Sequence, residues 1–463
     1  MKRAALMFLS TVAVAQPSVD LSHGPLQVSA NHRFLQHADG TPFFWLGDTA
    51  WELFHRLNRE DAELYLENRR MKRFTVIQAV VLAELDGLDT PNAYGERPLT
   101  NNDPAKPNEK YFQHVDWIVK RAEEKGLYIG MLPTWGNKVT KGSWEKSAPV
   151  IFTAENARTY GQWIGHRYRN ARNIVWILGG DRPPENVIPV WRAMAEGIRA
   201  ADSGKHLMTY HPNGEQSSAT YLHGESWLDF NMIQSGHRSH NLANYDFVAK
   251  DYARTPVKPA LDGESRYEDH PVNWKPADLG YFDEHDVRQA AYWDVFAGSL
   301  GHTYGCHPIW QMKTEEREPI GYARNNWKDV LDLPGASSMR HLRALVESRP
   351  YLSRVPAQEL LRDNPARGLD HAQAMKGDGY AMVYIPAGRA VNVDTGKLGF
   401  TRLRVWWFDP KSGGVVPGGT VEAGNTGVFD PPGEPHRGND WVLVLDDAAK
   451  AYPRPGQQSI AAR

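Results

Sequence analysis

Asn173-Ile174-Val175-Trp176-Ile177-Leu178-Gly179-Gly180-Asp181 is a short apolar run that ends in two glycines and an acid. A second segment, Pro259-Ala260-Leu261-Asp262-Gly263-Glu264, also ends in a carboxylate. Apolar residues on both faces are typical of parallel strands that helices cover on both sides. In a barrel of alternating strands and helices, the carboxyl ends of the strands converge on one mouth. Asp181 and Glu264 are therefore predicted to meet there.

Strand and helix patterns alternate along most of the chain. The predicted strands are 43–46, 74–81, 127–132, 174–178, 207–210, 230–234, 260–262 and 302–306. The predicted helices are 59–71, 111–125, 154–168, 188–201, 242–250, 287–300 and 339–348. This alternation favours an α/β fold, a (β/α)8 TIM barrel over residues 23–350. An open doubly wound sheet is the rival, but the sequence has no glycine-rich phosphate loop.

The two ends of the chain differ from the barrel. Short β-type runs separated by Gly, Pro and Asp predict a small antiparallel β-sandwich over residues 355–448, packed on the barrel through Trp406 or Trp407. The polar tail, 452–463, is predicted to be disordered. At the start, Lys2 and Arg3 precede an apolar stretch and a small-x-small site, so residues 1–15 read as a signal peptide. We expect an exported protein, periplasmic or extracellular.

Composition narrows the class of partner. The chain has 463 residues and a formal net charge of −2, so nothing indicates a nucleic acid or a membrane surface as partner. The apolar stretch of the signal peptide is too short to span a bilayer, and no membrane insertion of the mature chain is expected. The 16 Trp and 19 Tyr mostly fill a large core, although flat aromatic faces also suit sugar rings. An oligosaccharide or polysaccharide is the expected partner.

Two acids at one mouth are the minimum for cleaving a glycosidic bond. The glycines before Asp181 remove bulk beside the acid, although a simple cap or a pair with Arg182 is the alternative. Alternation places Asp262 and Glu264 on one strand face, with Asp262 deeper and Glu264 at the mouth. Arg266 could orient and ionise Glu264, or the two could form an ordinary ion pair.

Other strand ends are polar or aromatic, as a sugar pocket of convergent donors and acceptors requires. Besides Arg266, the substrate-binding candidates are Asp48, Trp51, Gln78, Trp135, His211, Gln234 and Trp310. A metal site is weakly supported: His237 and His240 lie three residues apart, but no HExxH or CxxC spacing occurs. We expect no metal and no cofactor.

The motifs Gly47–Trp51, Trp176–Asp181, Tyr210–Pro212 and Asp262–Glu264 together resemble glycoside hydrolase family 140, the apiosidase-like family. The resemblance covers about residues 23 to 350. It implies Asp181 as acid/base and Glu264 as nucleophile. The larger clan of retaining (β/α)8 glycosidases usually has Asn-Glu where this chain has Gly180-Asp181. The C-terminal part resembles the β domain that accompanies this catalytic domain and often carries a collagen-binding label.

The resemblance implies an exported glycoside hydrolase acting on plant cell-wall pectin. The expected reaction is apiosidase-type release of side chains from rhamnogalacturonan II by a two-carboxylate, retaining mechanism. Without the resemblance, the residues indicate only a glycosidase with two catalytic carboxylates. The alternatives are a glycosidase on another β-linked glycan, a non-catalytic carbohydrate-binding protein and a metal-dependent hydrolase.

Overall fold

A computed structural model describes residues 16–142, 149–424 and 426–457. A barrel of parallel strands surrounded by helices confirms the predicted fold class. The barrel strands, β1 to β8, are Trp45–Thr49, Val76–Leu82, Tyr128–Thr134, Ile174–Gly179, Met208–His211, Asn231–Gln234, Ala260–Asp262 and Gly301–Tyr304. The main helices, α1 to α7, are Arg59–Met71, Glu109–Glu124, Ala154–Tyr168, Ile188–Asp202, Asn244–Tyr252, Glu284–Phe296 and Pro334–Glu347.

The barrel sheet has the strand order β5-β4-β3-β2-β1-β8-β7-β6, and no ladder joins β5 to β6 in the described residues. Two hydrogen bonds link these strands near their starts: the Thr209 hydroxyl donates to the Phe230 carbonyl, and the Asp229 amide donates to the Met208 carbonyl. The connection after β5 holds a two-residue strand, Gln216–Ser217, which pairs antiparallel with β6, and a short helix, Ala219–Leu222, in place of a long crossover helix. This seam is the point where the barrel closes.

Local sequence explains where several helices begin. Asn58 caps α1, accepting a hydrogen bond from the Asp61 amide. Capping boxes start α3 at Thr153 and α6 at Asp283.

Both α1 and α3 have the bounds that the sequence predicted. The strands β4 and β7 also begin where predicted, whereas β1 starts and ends later, at Trp45 and Thr49.

The C-terminal domain consists of two antiparallel sheets, as predicted. The strands of the larger sheet, in spatial order, are Val355–Pro356, Gln373–Gly377, Tyr380–Ile385, Trp441–Asp447, Arg402–Phe408 and Val415–Glu422. The smaller sheet contains Leu361–Arg362, Val391–Asp394 and Thr426–Phe429. Because side chains alternate along a strand, Tyr380, Met382 and Tyr384 pack into the barrel core. Ala381 and Val383 face the core between the two sheets.

Two tryptophans of the larger sheet follow the same alternation. Trp406 packs against the barrel core, and its indole N–H donates to Asp446. Trp407 instead lies in the core between the two sheets. Of the two residues proposed for the contact with the barrel, only Trp406 makes it.

Buried charge pairs join the C-terminal domain to the barrel. Arg288 on α6 makes a two-point pair with Asp440, with N–O distances of 2.7 and 2.9 Å, and the Tyr384 hydroxyl donates to the same carboxylate. The rings of Tyr292 and Tyr384 stack beside this pair. Arg349 pairs in the same way with Asp446. Helix α6 is therefore held between the barrel and the C-terminal sheet.

The predicted signal peptide, residues 1–15, lies outside the described residues, as do residues 458–463 of the predicted tail. The start of that tail, 452–457, was wrongly predicted to be disordered. The Tyr452 hydroxyl donates to the Asp378 carbonyl, and the Arg349 guanidinium lies over the Tyr452 ring. Among the described helices, none is both long enough and apolar enough to cross a membrane.

Replacing Asp440 with Ala should destabilise the protein by about 3–5 kcal/mol, because it leaves the buried Arg288 guanidinium unpaired. The free energy of unfolding in a denaturant titration measures this. The control is Arg402→Ala, which breaks an exposed pair with Glu422 and should cost less than about 1 kcal/mol. Equal stability of the two variants would show that the pair does not hold the domains together.

Candidate active site

Glu264 lies just beyond β7, and its carboxylate contacts two histidines from the neighbouring strands. Nε2 of His237, which follows β6, is 3.0 Å from Oε1. Nε2 of His211, the last residue of β5, is 3.1 Å from Oε2. Glu264 is only 6% exposed. Burial alone would raise the pKa of Glu264, but the contacts with the two histidines outweigh this effect and hold the pKa well below its usual range.

Asp181 lies at the end of β4 in a different environment. Its side chain is 35% exposed and faces the same cavity as Glu264. Partial burial and the nearby negative charge of Glu264 raise the pKa of Asp181, although the charge of Arg182 partly opposes the rise. The two carboxyl groups thus have pKa values shifted in opposite directions. Such a pair is suited to one group acting as an acid while the other stays ionised.

The backbone before Asp181 explains the two glycines. Gly179, Gly180 and Asp181 have φ values of 89°, 115° and 59°, which lie in the region that favours glycine. A Cβ on Gly180 would lie 2.7 Å from the Trp135 ring, and one on Gly179 would lie 2.3 Å from the His211 carbonyl oxygen. The glycines therefore let β4 turn sharply and bring Asp181 close to Trp135.

Both carboxyl groups open into a cavity of about 630 Å³ at the carboxyl end of the barrel. Trp51, Trp135 and Trp310, all predicted at strand ends, line it and are nearly buried. The Trp51 ring lies 5.2 Å from that of Trp135 and 5.3 Å from that of His211. The cavity therefore has an aromatic floor next to the two acids.

Three further residues lie around Glu264. Gln234, a predicted substrate-binding residue, lines the cavity. Tyr267 also lines it, and burial together with the Glu264 charge raises its pKa well above the usual value. Gln78 is fully buried below the cavity and donates to the Gly263 carbonyl at 2.9 Å. Gln78 thus holds the backbone next to Glu264 and does not line the cavity.

Two predicted substrate-binding residues lie elsewhere. Asp48 is buried between β1 and α1, where Arg69 and the Tyr65 hydroxyl donate to its carboxylate. Alternation along β1 turns its side chain away from the barrel interior. Arg266 points into the helix layer, where it donates to the His240 carbonyl and to Gln289. Both assignments were wrong because strand-end position does not fix the direction of a side chain.

Asp262, the rival acid on β7, has a structural role. It is fully buried and accepts hydrogen bonds from Ser235 and, at 3.3 Å, from the Glu264 amide. Burial and the charge of Asp294 raise the pKa of Asp262 to about 7. Asp262 therefore fixes the turn that presents Glu264.

The histidines considered as metal ligands point apart. His237 contacts Glu264, whereas His240 contacts Asp286 at 3.0 Å. His302 pairs with Asp294, and His307 bonds backbone carbonyls after β8. In the three described segments, no three His, Cys, Asp or Glu side chains are grouped as metal ligands.

The sequence analysis missed several residues of the cavity. Glu84 follows β2 by two residues, and burial and the Asp181 charge raise its pKa to about 8. Its strand-end position could have indicated it. The others lie on the longer loops after β5, β6 and β7, where no strand position marks them. The clearest of these are Asn213, Glu215, Arg238, His270 and Trp274.

Comparison with known proteins shows the family of this chain. Residues 29–353 match the family model described as "Apiosidase-like, catalytic domain". The chain belongs to the apiosidase-like family. Residues 355–446 match the model described as "Putative collagen-binding domain of a collagenase". A comparison with curated proteins finds no match.

Two solved structures are similar over nearly the whole chain. A protein titled "Glycoside hydrolase" is 36% identical with a TM-score of 0.88, over 95% of this chain and 100% of the other. A glycoside hydrolase family 5 protein from Bacteroides vulgatus ATCC 8482 is 35% identical with a TM-score of 0.88, over 95% of this chain and 96% of the other. This member of the apiosidase-like family is a glycoside hydrolase.

Replacing Gly180 with Ala should lower kcat/KM on a glycan substrate by about 10²-fold, because the new Cβ would displace Trp135 or Asp181. Steady-state kinetics measure this, and a thermal melt checks that the variant is folded. The matched control is Gly214→Ala, also on the cavity wall but with no atom within 4 Å of the new Cβ. We expect that control to keep its activity within about threefold. Full activity of Gly180→Ala would contradict the steric argument.

Proposed function

We propose that this enzyme releases apiose-linked side chains from rhamnogalacturonan II, with Asp181 as acid/base and Glu264 as nucleophile. The observation that carries the chemistry is one cavity with two carboxyl groups in different surroundings: Glu264 contacts His211 and His237 and has a lowered pKa, whereas Asp181 is partly exposed and has a raised pKa. The family model supports the apiosidase assignment, and the resemblance of the motifs supports our placing the chain in glycoside hydrolase family 140. Pectin as the polymer follows from that assignment.

The proposed reaction has two steps. In the first, a Glu264 oxygen attacks the anomeric carbon while Asp181 gives its proton to the glycosidic oxygen, and the bond to the leaving group breaks. The product is a glycosyl ester on Glu264. In the second, Asp181 takes a proton from water, whose oxygen attacks the anomeric carbon and frees Glu264. The net change is hydrolysis with retained configuration.

The cavity walls suit a sugar. Besides the two acids, the lining includes the polar side chains of Asn213, Gln234 and Arg238, which can donate to or accept from sugar hydroxyls. The aromatic floor of Trp51, Trp135 and Trp310 supplies flat apolar faces for the C–H groups of the ring.

We further propose that the protein is exported, with residues 1–15 as its signal peptide, and that the C-terminal domain supports the barrel. The buried pairs of Arg288 with Asp440 and of Arg349 with Asp446 favour a supporting role. Detection of the mature chain outside the cytoplasm, starting near Gln16, would test export.

A screen of the purified protein against pectin and hemicellulose oligosaccharides tests the substrate. Release of apiose from rhamnogalacturonan II, with the other glycans left intact, is the expected result. Release of a sugar only from a hemicellulose would favour the alternative, a glycosidase on another β-linked glycan.

Replacing Asp181 and replacing Glu264 should change the activity in different ways. Asp181→Asn should lower kcat on the natural linkage by about 10²–10⁴-fold. It should keep more activity on an aryl glycoside, whose leaving group needs little protonation. Glu264→Gln should be poor on both substrates, and only a Glu264→Ala variant should yield a glycosyl azide with the azide on the face opposite the leaving group. Steady-state kinetics and product analysis measure these effects.

The control for these two variants is Asp262→Asn, which keeps the shape of the acid that fixes the turn before Glu264. We expect it to lose much less activity than Glu264→Gln. If Asp262→Asn abolished turnover and Glu264→Gln did not, the nucleophile would be Asp262.

His237→Gln should move the acidic limb of the pH–rate profile upward by about one unit. Glu264 must be ionised to attack, and the histidine contact lowers its pKa, so removing the imidazole raises that pKa and reduces activity at low pH. The alkaline limb, where Asp181 loses its proton, should move less. The control is His240→Gln, since His240 contacts Asp286 outside the cavity. An unmoved acidic limb in His237→Gln would contradict this account.

A further inference from the structure

Trp274 differs from the other tryptophans of the cavity. It lies in the long loop after β7 and lines the same cavity as the two acids. Its side chain is 46% exposed, whereas Trp51, Trp135 and Trp310 are nearly buried. A large aromatic side chain with an open face at a cavity rim is common where another molecule docks. The ring of Trp274 therefore extends the aromatic surface outward from the floor.

The backbone and its neighbours fix the position of this ring. Asn273 and Trp274 have φ values of 51° and 59°, a region that costs a non-glycine residue about 1–3 kcal/mol. A Cβ on Gly321 would lie 2.0 Å from the Trp274 ring, so the ring rests directly on that glycine. The ring of His270 meets it edge-on at 4.5 Å. The open face is thus held in place before any ligand arrives.

The Trp274 loop is also tied to the catalytic acids. The Asn273 amide donates to the His237 carbonyl at 2.8 Å, and the His237 side chain contacts Glu264. The rings of His237 and His270 stack at 4.2 Å. One connected set of side chains therefore positions both the proposed nucleophile and the Trp274 ring.

Polar side chains also line the cavity that Trp274 lines. Asn213, Glu215 and Arg238 line the same cavity, and Arg238 pairs with Glu215 at 2.9 Å while both remain partly exposed. An apolar face together with exposed donors and acceptors matches a sugar ring, which has C–H groups on its faces and hydroxyls at its edge.

We propose that Trp274 forms a subsite for a second sugar ring of the substrate, stacked on its open face. The inference rests on the proposed glycosidase function and deepens it: the enzyme recognises at least a disaccharide unit. The floor of Trp51, Trp135 and Trp310 holds the sugar next to Asp181 and Glu264. Trp274 holds a ring joined to that sugar, and sets specificity without touching the reacting bond.

The test is binding by isothermal titration calorimetry in a Glu264→Gln background, which prevents turnover. The probes are purified oligosaccharides of rhamnogalacturonan II and of hemicelluloses, together with the monosaccharides that compose them. Trp274→Ala should weaken oligosaccharide binding by about tenfold and leave monosaccharide binding unchanged. Trp274→Phe should restore part of the affinity. The matched control, Leu279→Ala, changes an exposed side chain of the same loop outside the cavity lining and should have no effect.

Each other outcome has a definite meaning. Unchanged oligosaccharide affinity in Trp274→Ala would overturn the subsite, as would an equal loss for monosaccharides or the absence of binding to every glycan. If a hemicellulose oligosaccharide binds and loses affinity in Trp274→Ala while the pectin probes do not bind, the subsite stands and the proposed pectin substrate is wrong. A thermal melt of each variant separates loss of binding from loss of fold.

Discussion

Removing a carboxylate from water costs free energy unless polar or charged groups contact it. His211 and His237 make these contacts with Glu264. These three residues come from the ends of β5, β6 and β7, so their contact joins three consecutive strand ends. It also spans the seam between β5 and β6, where no ladder joins the strands within the described chain. The same contact that keeps Glu264 ionised therefore helps to close the barrel at its mouth.

The protonation of Asp181 depends on the charge of Glu264. The charge of Glu264 favours the protonated form of Asp181, and the left-handed turn at Gly179 and Gly180 places Asp181 in the same cavity. Two carboxyl groups thus acquire different properties from their surroundings. Helix α6 connects the strands of the site to the C-terminal domain. Its Asp294 pairs with His302 and lies near Asp262, and its Arg288 pairs with Asp440 of the C-terminal domain.

The sequence predicted the barrel well because its signals are local. Apolar runs and capping residues such as Asn58 and Thr153 determine where strands and helices lie. It predicted the site less completely. The phase of the pleat decides which way Asp48 points, and packing of the helix layer decides the direction of Arg266; both depend on contacts distant in sequence. Trp274 was missed because its place in the cavity depends on a long loop that no periodic pattern describes.

Identification of the residue that becomes covalently attached to the substrate tests the central claim most directly. The enzyme is incubated with an activated 2-deoxy-2-fluoro glycoside of the sugar that it releases, which slows the second step, and the labelled peptide is sequenced by mass spectrometry. The account predicts one sugar per chain, attached to Glu264. A label on Asp262 or Asp181, or turnover with inverted configuration and no label, would contradict it.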